Sequence, residues 1–145
     1  MRSTLRVRKM RKGFSLLELL VVLAILGLLA AIVGPQVLKY LGTSRSQTAR
    51  VQIANIVSGL QLFQLSVGRN PTNDEGLKAL VTAPANAPNW NGPYLAKEAG
   101  LIDPWGNPYH YRSPGQKGEV DVFTLGSDNA EGGSGEAQDI GNWQP

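Results

Sequence analysis

The stretch RKGFSLLELLVVLAILGLLAAIVGP, residues 11–35, sets the architecture of this chain. Between residues 14 and 33 only Ser15 and Glu18 are strongly polar, and Gly27 is neutral. As a helix rising ~1.5 Å per residue, these twenty residues reach ~30 Å, the depth of a bilayer's hydrocarbon core. Six basic residues precede them (Arg2, Arg6, Arg8, Lys9, Arg11 and Lys12), with no acid. A basic flank of this kind holds the N-terminus of a span on the cytoplasmic side, so the rest of the chain is expected across the membrane.

A cleavable secretory signal shares the basic start, but its apolar region runs only ~7–15 residues. Small residues near Gly34 would permit cleavage there. Glu18 speaks against it, because a charge at the centre of an inserted helix costs roughly 2.5–3.5 kcal/mol, and less nearer the interface. Two explanations for this acid stand side by side. Either it lies close enough to the interface to be wetted, or it meets a positive partner inside an assembly.

The net charge of +3 is misleading as a guide to partners. Of the fourteen Lys and Arg, six lie in the first thirteen residues; the remaining eight face eleven acids, so the chain from Phe14 onward is −3. Nucleic-acid binding is not expected. Cysteine is absent, which excludes a disulfide framework, thiol catalysis and cysteine-ligated metal.

Beyond the apolar run, Gly34-Pro35 predicts a kink or local melting, since proline removes a helical N–H and crowds the preceding turn. Helical periodicity then resumes. Val51, Ile53, Ile56, Val57, Leu60, Phe63 and Leu65 recur mostly at three- and four-residue steps, with Arg50, Gln52, Asn55, Ser58, Gln61 and Gln64 between them. Gly68 and Asn70-Pro71 close the pattern. Asn73 or Asp74 is expected to cap a short helix through Leu80. In NPYHYRSPGQKGEVDVFTLG, residues 107–126, Tyr109 and Tyr111 alternate with His110 and Arg112. Val120, Val122 and Thr124 alternate with Asp121, Phe123 and Leu125, which predicts an antiparallel hairpin. A third strand is expected near 140–143. The fold class is α+β: a long kinked N-terminal helix, its first half transmembrane, packed on a small antiparallel sheet. His110, the sole histidine, has no partner at a catalytic spacing and is read as structural, so no catalytic residue is assigned.

The final stretch LGSDNAEGGSGEAQDIGNW, residues 125–143, carries Asp128, Glu131, Glu136 and Asp139 among five glycines, and no Lys or Arg occurs after Lys117. Acidic oxygens on a turning backbone suit a hard cation such as calcium, which takes about six to eight oxygens. A merely flexible acidic loop would show the same composition, and the spacing is not that of an EF-hand.

Lys12-Gly13-Phe14-Ser15-Leu16-Leu17-Glu18 resembles a prepilin processing site. DEGLKALV, WNGPYL, DPWGNPYHYRSPGQKGEVDVFTLGSD and DIGNW resemble the major pseudopilins of type II secretion systems. The resemblance runs from Arg11 to Trp143. It implies three segments: a cleaved basic leader (1–13), a transmembrane and filament-core helix (14–35) and a periplasmic domain (36–145). It implies cleavage between Gly13 and Phe14 by a prepilin peptidase, N-methylation of Phe14, and pairing of Glu18 with the Phe14 amine of a neighbouring subunit. It also implies Ca2+ held by the side chains of Asp128 and Asp139 with the Leu125 carbonyl, while ligands between them, around Glu131 or Ser134, stay open. The implied partners are further copies of the chain, minor pseudopilins, the peptidase and an inner-membrane secretion platform, with the C-terminal domain in the periplasm. No Gly-x-x-x-x-Gly-Lys loop is present, so a separate ATPase would supply the energy. A type IV pilin subunit is the alternative, although many of those close a C-terminal loop with a disulfide. A membrane-anchored periplasmic binding module or enzyme is a more distant one.

Overall fold

The computed structural model describes residues 13–145; residues 1–12 of the expected leader lie outside the described part. The element order is α1 (Leu16–Val67), β1 (His110–Arg112), β2 (Asp121–Thr124) and β3 (Ile140–Gly141), with short 3-10 turns between them. The chain divides into two compact units, one ending at Leu38 and one spanning Lys39–Pro145.

In the first unit, α1 exposes its apolar side chains all round between residues 16 and 33. It is long and apolar enough to cross a membrane by length and composition. The helix continues without a break through Pro35, so of the two alternatives expected there, a kink or local melting, the melting does not occur. Proline removes one N–H, and the surrounding helical bonds carry the segment across.

In the second unit, α1 buries Ala49, Ile53, Ile56, Leu60 and Phe63 against Leu77, Leu80, Tyr109, Val122 and Ile140. Two residues expected on this face are off it: Val51 is 55% exposed and Leu65 83%. Steps of three and four accumulate an angular error along a 3.6-residue repeat, and these two fall outside the stripe. Gly68, at φ 85°, takes the left-handed position after the helix, and its N–H reaches Gln64 O at 2.8 Å.

The sheet has the order β1-β2-β3, both pairs antiparallel, with Tyr111 opposite Val122 and Thr124 opposite Ile140. Hairpin and third strand therefore form where expected. Alternation holds on one side: Tyr109, Val122 and Thr124 face the core, and Tyr109 Oη donates to Gln52 Oε1 on α1 at 2.7 Å. It fails at Asp121, which is 1% exposed. The reason is local, since its carboxylate accepts the Gln116 and Lys117 N–H groups at 2.7 and 3.1 Å and so closes the hairpin turn. Asp103, at 4%, likewise accepts from Trp105 N, Asn107 N and the Thr124 hydroxyl. Both are buried acids satisfied by donors, as burial demands. His110 is exposed and stacks on Phe123, with ring centroids 5.0 Å apart, a surface structural role.

The expected cap at Asn73 or Asp74 is not formed. The 3-10 turn Leu77–Leu80 starts after Gly76 with no side-chain cap. Asn73 instead pairs with the hairpin, donating to Ser113 O and accepting Ser113 N–H, each at 2.8 Å. The reciprocal bonds belong to Thr72 and Glu75: Thr72 N reaches Glu75 Oε2 at 2.8 Å and Glu75 N reaches Thr72 Oγ1 at 3.2 Å. Arg69 closes on the same carboxylate with two bonds, 2.7 and 2.8 Å. Those bonds hold the Glu75 carboxyl down at about 2, against an ordinary 4.5. Stability from this pair is therefore complete above pH 4.5 and is lost as pH falls toward about 2. Glu75→Gln is expected to lower the thermal midpoint at pH 7 by a few degrees, for a loss on the order of 1 kcal/mol at this partly exposed site. Near pH 2 the gap should close; a midpoint difference that does not depend on pH would exclude this role.

Candidate functional site

Gly13, Phe14 and Ser15 precede the helix, and the first intrahelical bond runs from Leu19 N to Ser15 O at 3.3 Å. A side chain at residue 13 would meet nothing within 4 Å among the described residues, so their packing does not require glycine there. Ser15 and Glu18 form a reciprocal cap. Ser15 N and Ser15 Oγ donate to Glu18 Oε2 at 2.8 and 3.0 Å, and Glu18 N donates to Ser15 Oγ at 3.2 Å. The sequence carries the signal as Ser-x-x-Glu, the capping-box spacing, and reading Glu18 only as a membrane acid misses it. The carboxylate therefore has a partner within its own chain through Oε2. Oε1 has none among the described residues and is free to accept a second donor. The helix N-terminus also favours a negative charge in its first turn.

The second group of candidate residues lies in the C-terminal loop. Leu125 precedes a 3-10 turn, Gly126–Asp128, and a second such turn covers Gly135–Ala137. The loop crosses itself between them: at Gly126, φ 71°, a Cβ would come within 2.6 Å of the Glu136 carbonyl oxygen. Glycine is needed there both for the left-handed backbone and for the close approach. Asp128 Oδ1 accepts Ala130 N–H at 3.2 Å, and Asp139 Oδ2 accepts Gly132 N–H at 3.0 Å.

Two polar atoms in this region are buried without a hydrogen-bond partner, Asp139 Oδ1 and Gln144 Oε1. Gln144 is placed by its other amide atom, since Nε2 donates to Asp139 O at 3.1 Å. A buried carboxylate oxygen with no donor is costly, and a cation is one way to satisfy it. The residues thus offer a hard ion of calcium type one unsatisfied anionic oxygen, on Asp139. They do not form a carboxylate cage, because no three His, Asp or Glu among the described residues stand close enough to hold a metal together. Glu131 and Ser134, the open candidates between the aspartates, are exposed, and so is Asp128. Glu136 points elsewhere: its Oε2 stands 3.6 Å from Arg45 Nη1 and accepts the Trp105 indole N–H at 3.3 Å.

Comparison with known proteins covers both regions. Residues 36–143 match the family model of the type II secretion system protein G, and residues 8–34 match the prokaryotic N-terminal methylation motif. The chain is 46% identical to the type II secretion system core protein G of Vibrio cholerae over 144 residues, covering 94% of this chain and 96% of that protein. It is 44% identical to the core protein G of Pseudomonas aeruginosa over 140 residues, covering 94% and 97%. The crystal structure of the major pseudopilin from the type 2 secretion system of enterohaemorrhagic Escherichia coli superposes with a TM-score of 0.59. That match has 31% identity and covers 70% of this chain and 88% of that one.

Proposed function

This chain belongs to the type II secretion system protein G family, the major pseudopilins, and from that premise we propose how its own residues carry the role. The family is structural, and this chain works as a building block and not as a catalyst. A prepilin peptidase cuts between Gly13 and Phe14 at the cytoplasmic face and methylates the new Phe14 amine. The subunit waits in the inner membrane through residues 14–35, with residues 36–145 in the periplasm. It then polymerises with further copies, and with minor pseudopilins, on an inner-membrane platform. Growth of that filament moves folded substrates outward, driven by a separate ATPase.

The observation that carries this reading is the exposed apolar helix whose first turn holds the one acid, Glu18. A face this large and this apolar needs lipid or neighbouring helices around it. Glu18 Oε1 supplies the acceptor for a neighbour's Phe14 amine. Such a pair, desolvated on both sides, adds little net stability; it sets register, because a subunit displaced along the axis leaves a carboxylate unpaired. Calcium, held by Asp128, Asp139 and the Leu125 carbonyl, orders an acidic loop that otherwise repels itself.

The mass of the mature N-terminus tests the processing step. The expected species starts at Phe14 and carries one added methyl group. A mature chain starting at Met1, or near Gln36, would overturn it.

A further inference from the structure

Between Leu16 and Ala49, α1 has a single buried residue, Gly42. What covers it is Glu136, on the 3-10 turn Gly135–Ala137 of the C-terminal loop; a Cβ at residue 42 would overlap the Glu136 carboxyl group. One helical turn on, Arg45 Nη1 stands 3.6 Å from Oε2 of the same carboxylate, and the Trp105 indole donates to that oxygen at 3.3 Å.

The helix is intrinsically weak at this point. Residues 42–48 read Gly-Thr-Ser-Arg-Ser-Gln-Thr, and five of the seven are glycine, serine or threonine, which favour helices poorly. Thr43 and Thr48 turn their hydroxyls back onto the Lys39 and Ser44 carbonyls at 3.1 and 2.9 Å, a bond that competes with the helical ladder. Core packing begins only at Ala49. Helical order over 42–48 therefore depends on a tertiary contact, and Glu136 provides it.

We propose that Glu136 is a strap that imposes the order of the C-terminal loop on α1 over residues 42–48. With the loop closed, the carboxylate is seated on Gly42 between Arg45 and Trp105, and the stretch stays helical. With the loop open, the strap is withdrawn and the stretch frays, while the helix from Ile53 to Phe63 stays locked in the core. The same contact takes Glu136 out of the cation's ligand set. What closes the loop rests on the calcium reading above; the strap itself does not.

Amide hydrogen exchange on the full chain in detergent micelles separates the two. In calcium, Glu136→Ala is expected to speed exchange over residues 43–48 by about tenfold, leaving 53–63 and the loop unchanged. Glu136→Gln keeps the Trp105 bond but loses the charge facing Arg45, and should fall between wild type and Glu136→Ala. Chelating calcium should speed both the loop and 43–48 in the wild type, but only the loop in Glu136→Ala. Exchange over 43–48 that neither substitution alters would overturn the strap. A loop indifferent to chelation would overturn the calcium reading, while the comparison of wild type with Glu136→Ala still judges the strap.

Discussion

Glu18→Gln is expected to yield a subunit that is inserted, cut and folded, yet builds no filament. The substitution is informative because glutamine also serves in a capping box, so Ser15 keeps its reciprocal partner and the helix start is retained. Only the charge is lost. The methylated amine of each neighbour then stays unpaired in a poorly solvated place, at a cost of roughly 2–3 kcal/mol per subunit if it lies within the hydrocarbon. That corresponds to about thirty- to a hundred-and-fiftyfold weaker addition at every step, and in a polymer the deficit recurs with each subunit. Ser15→Ala is the matching control: it breaks the cap, costing about 1 kcal/mol, and leaves the charge. It should slow assembly without abolishing it. Filament yield after shearing, together with secretion of a reporter substrate, measures both. Normal filaments from Glu18→Gln would show that this carboxylate serves only to cap the helix.

Removing calcium is the second large perturbation expected. A ligand bound to the folded state alone, at about a hundred times its dissociation constant, stabilises by about 2.7 kcal/mol. For a domain of about a hundred residues, that is a fall in thermal midpoint on the order of 10–20 °C on chelation. Asp139→Asn should remove the calcium dependence while keeping an acceptor for the Gly132 N–H. Asp128→Ala should act in the same direction, because fewer anionic oxygens weaken a hard cation site. A wild-type midpoint that is the same with calcium and with chelator would refute the assignment, and would leave the unpartnered Asp139 oxygen to be explained by an ordered water.

The parts of the fold that depend on residue type in a continuous stretch are legible in the amino-acid order. The apolar run, the periodic core of α1 at Ile53, Ile56, Leu60 and Phe63, the hairpin and the short third strand all form where expected. The two boxes at Ser15–Glu18 and Thr72–Glu75 have the same local character, since their spacing alone brings each pair together. Asn73 misleads because its side chain has two possible uses, capping a helix or pairing with the hairpin forty residues away at Ser113. Only distance in space, not in sequence, decides between them. Asp121 is of the same kind: alternation sends it outward, and the donors that reward its burial come from a turn whose conformation the chain alone does not state.

What the amino-acid order by itself determined is the membrane-length helix, the processing motif ahead of it and the acidic, glycine-rich end. Each rests on local chemistry: transfer of apolar surface, charge beside it, and backbone freedom. What only the tertiary structure decided is the division of labour among the acids of that end. Asp139 keeps a buried oxygen without a donor, while Glu136 is carried ninety-four positions back along the chain to Gly42 and Arg45. The physical reason is that a carboxylate's role follows from the donors and cations that close packing brings within about 3–4 Å of it.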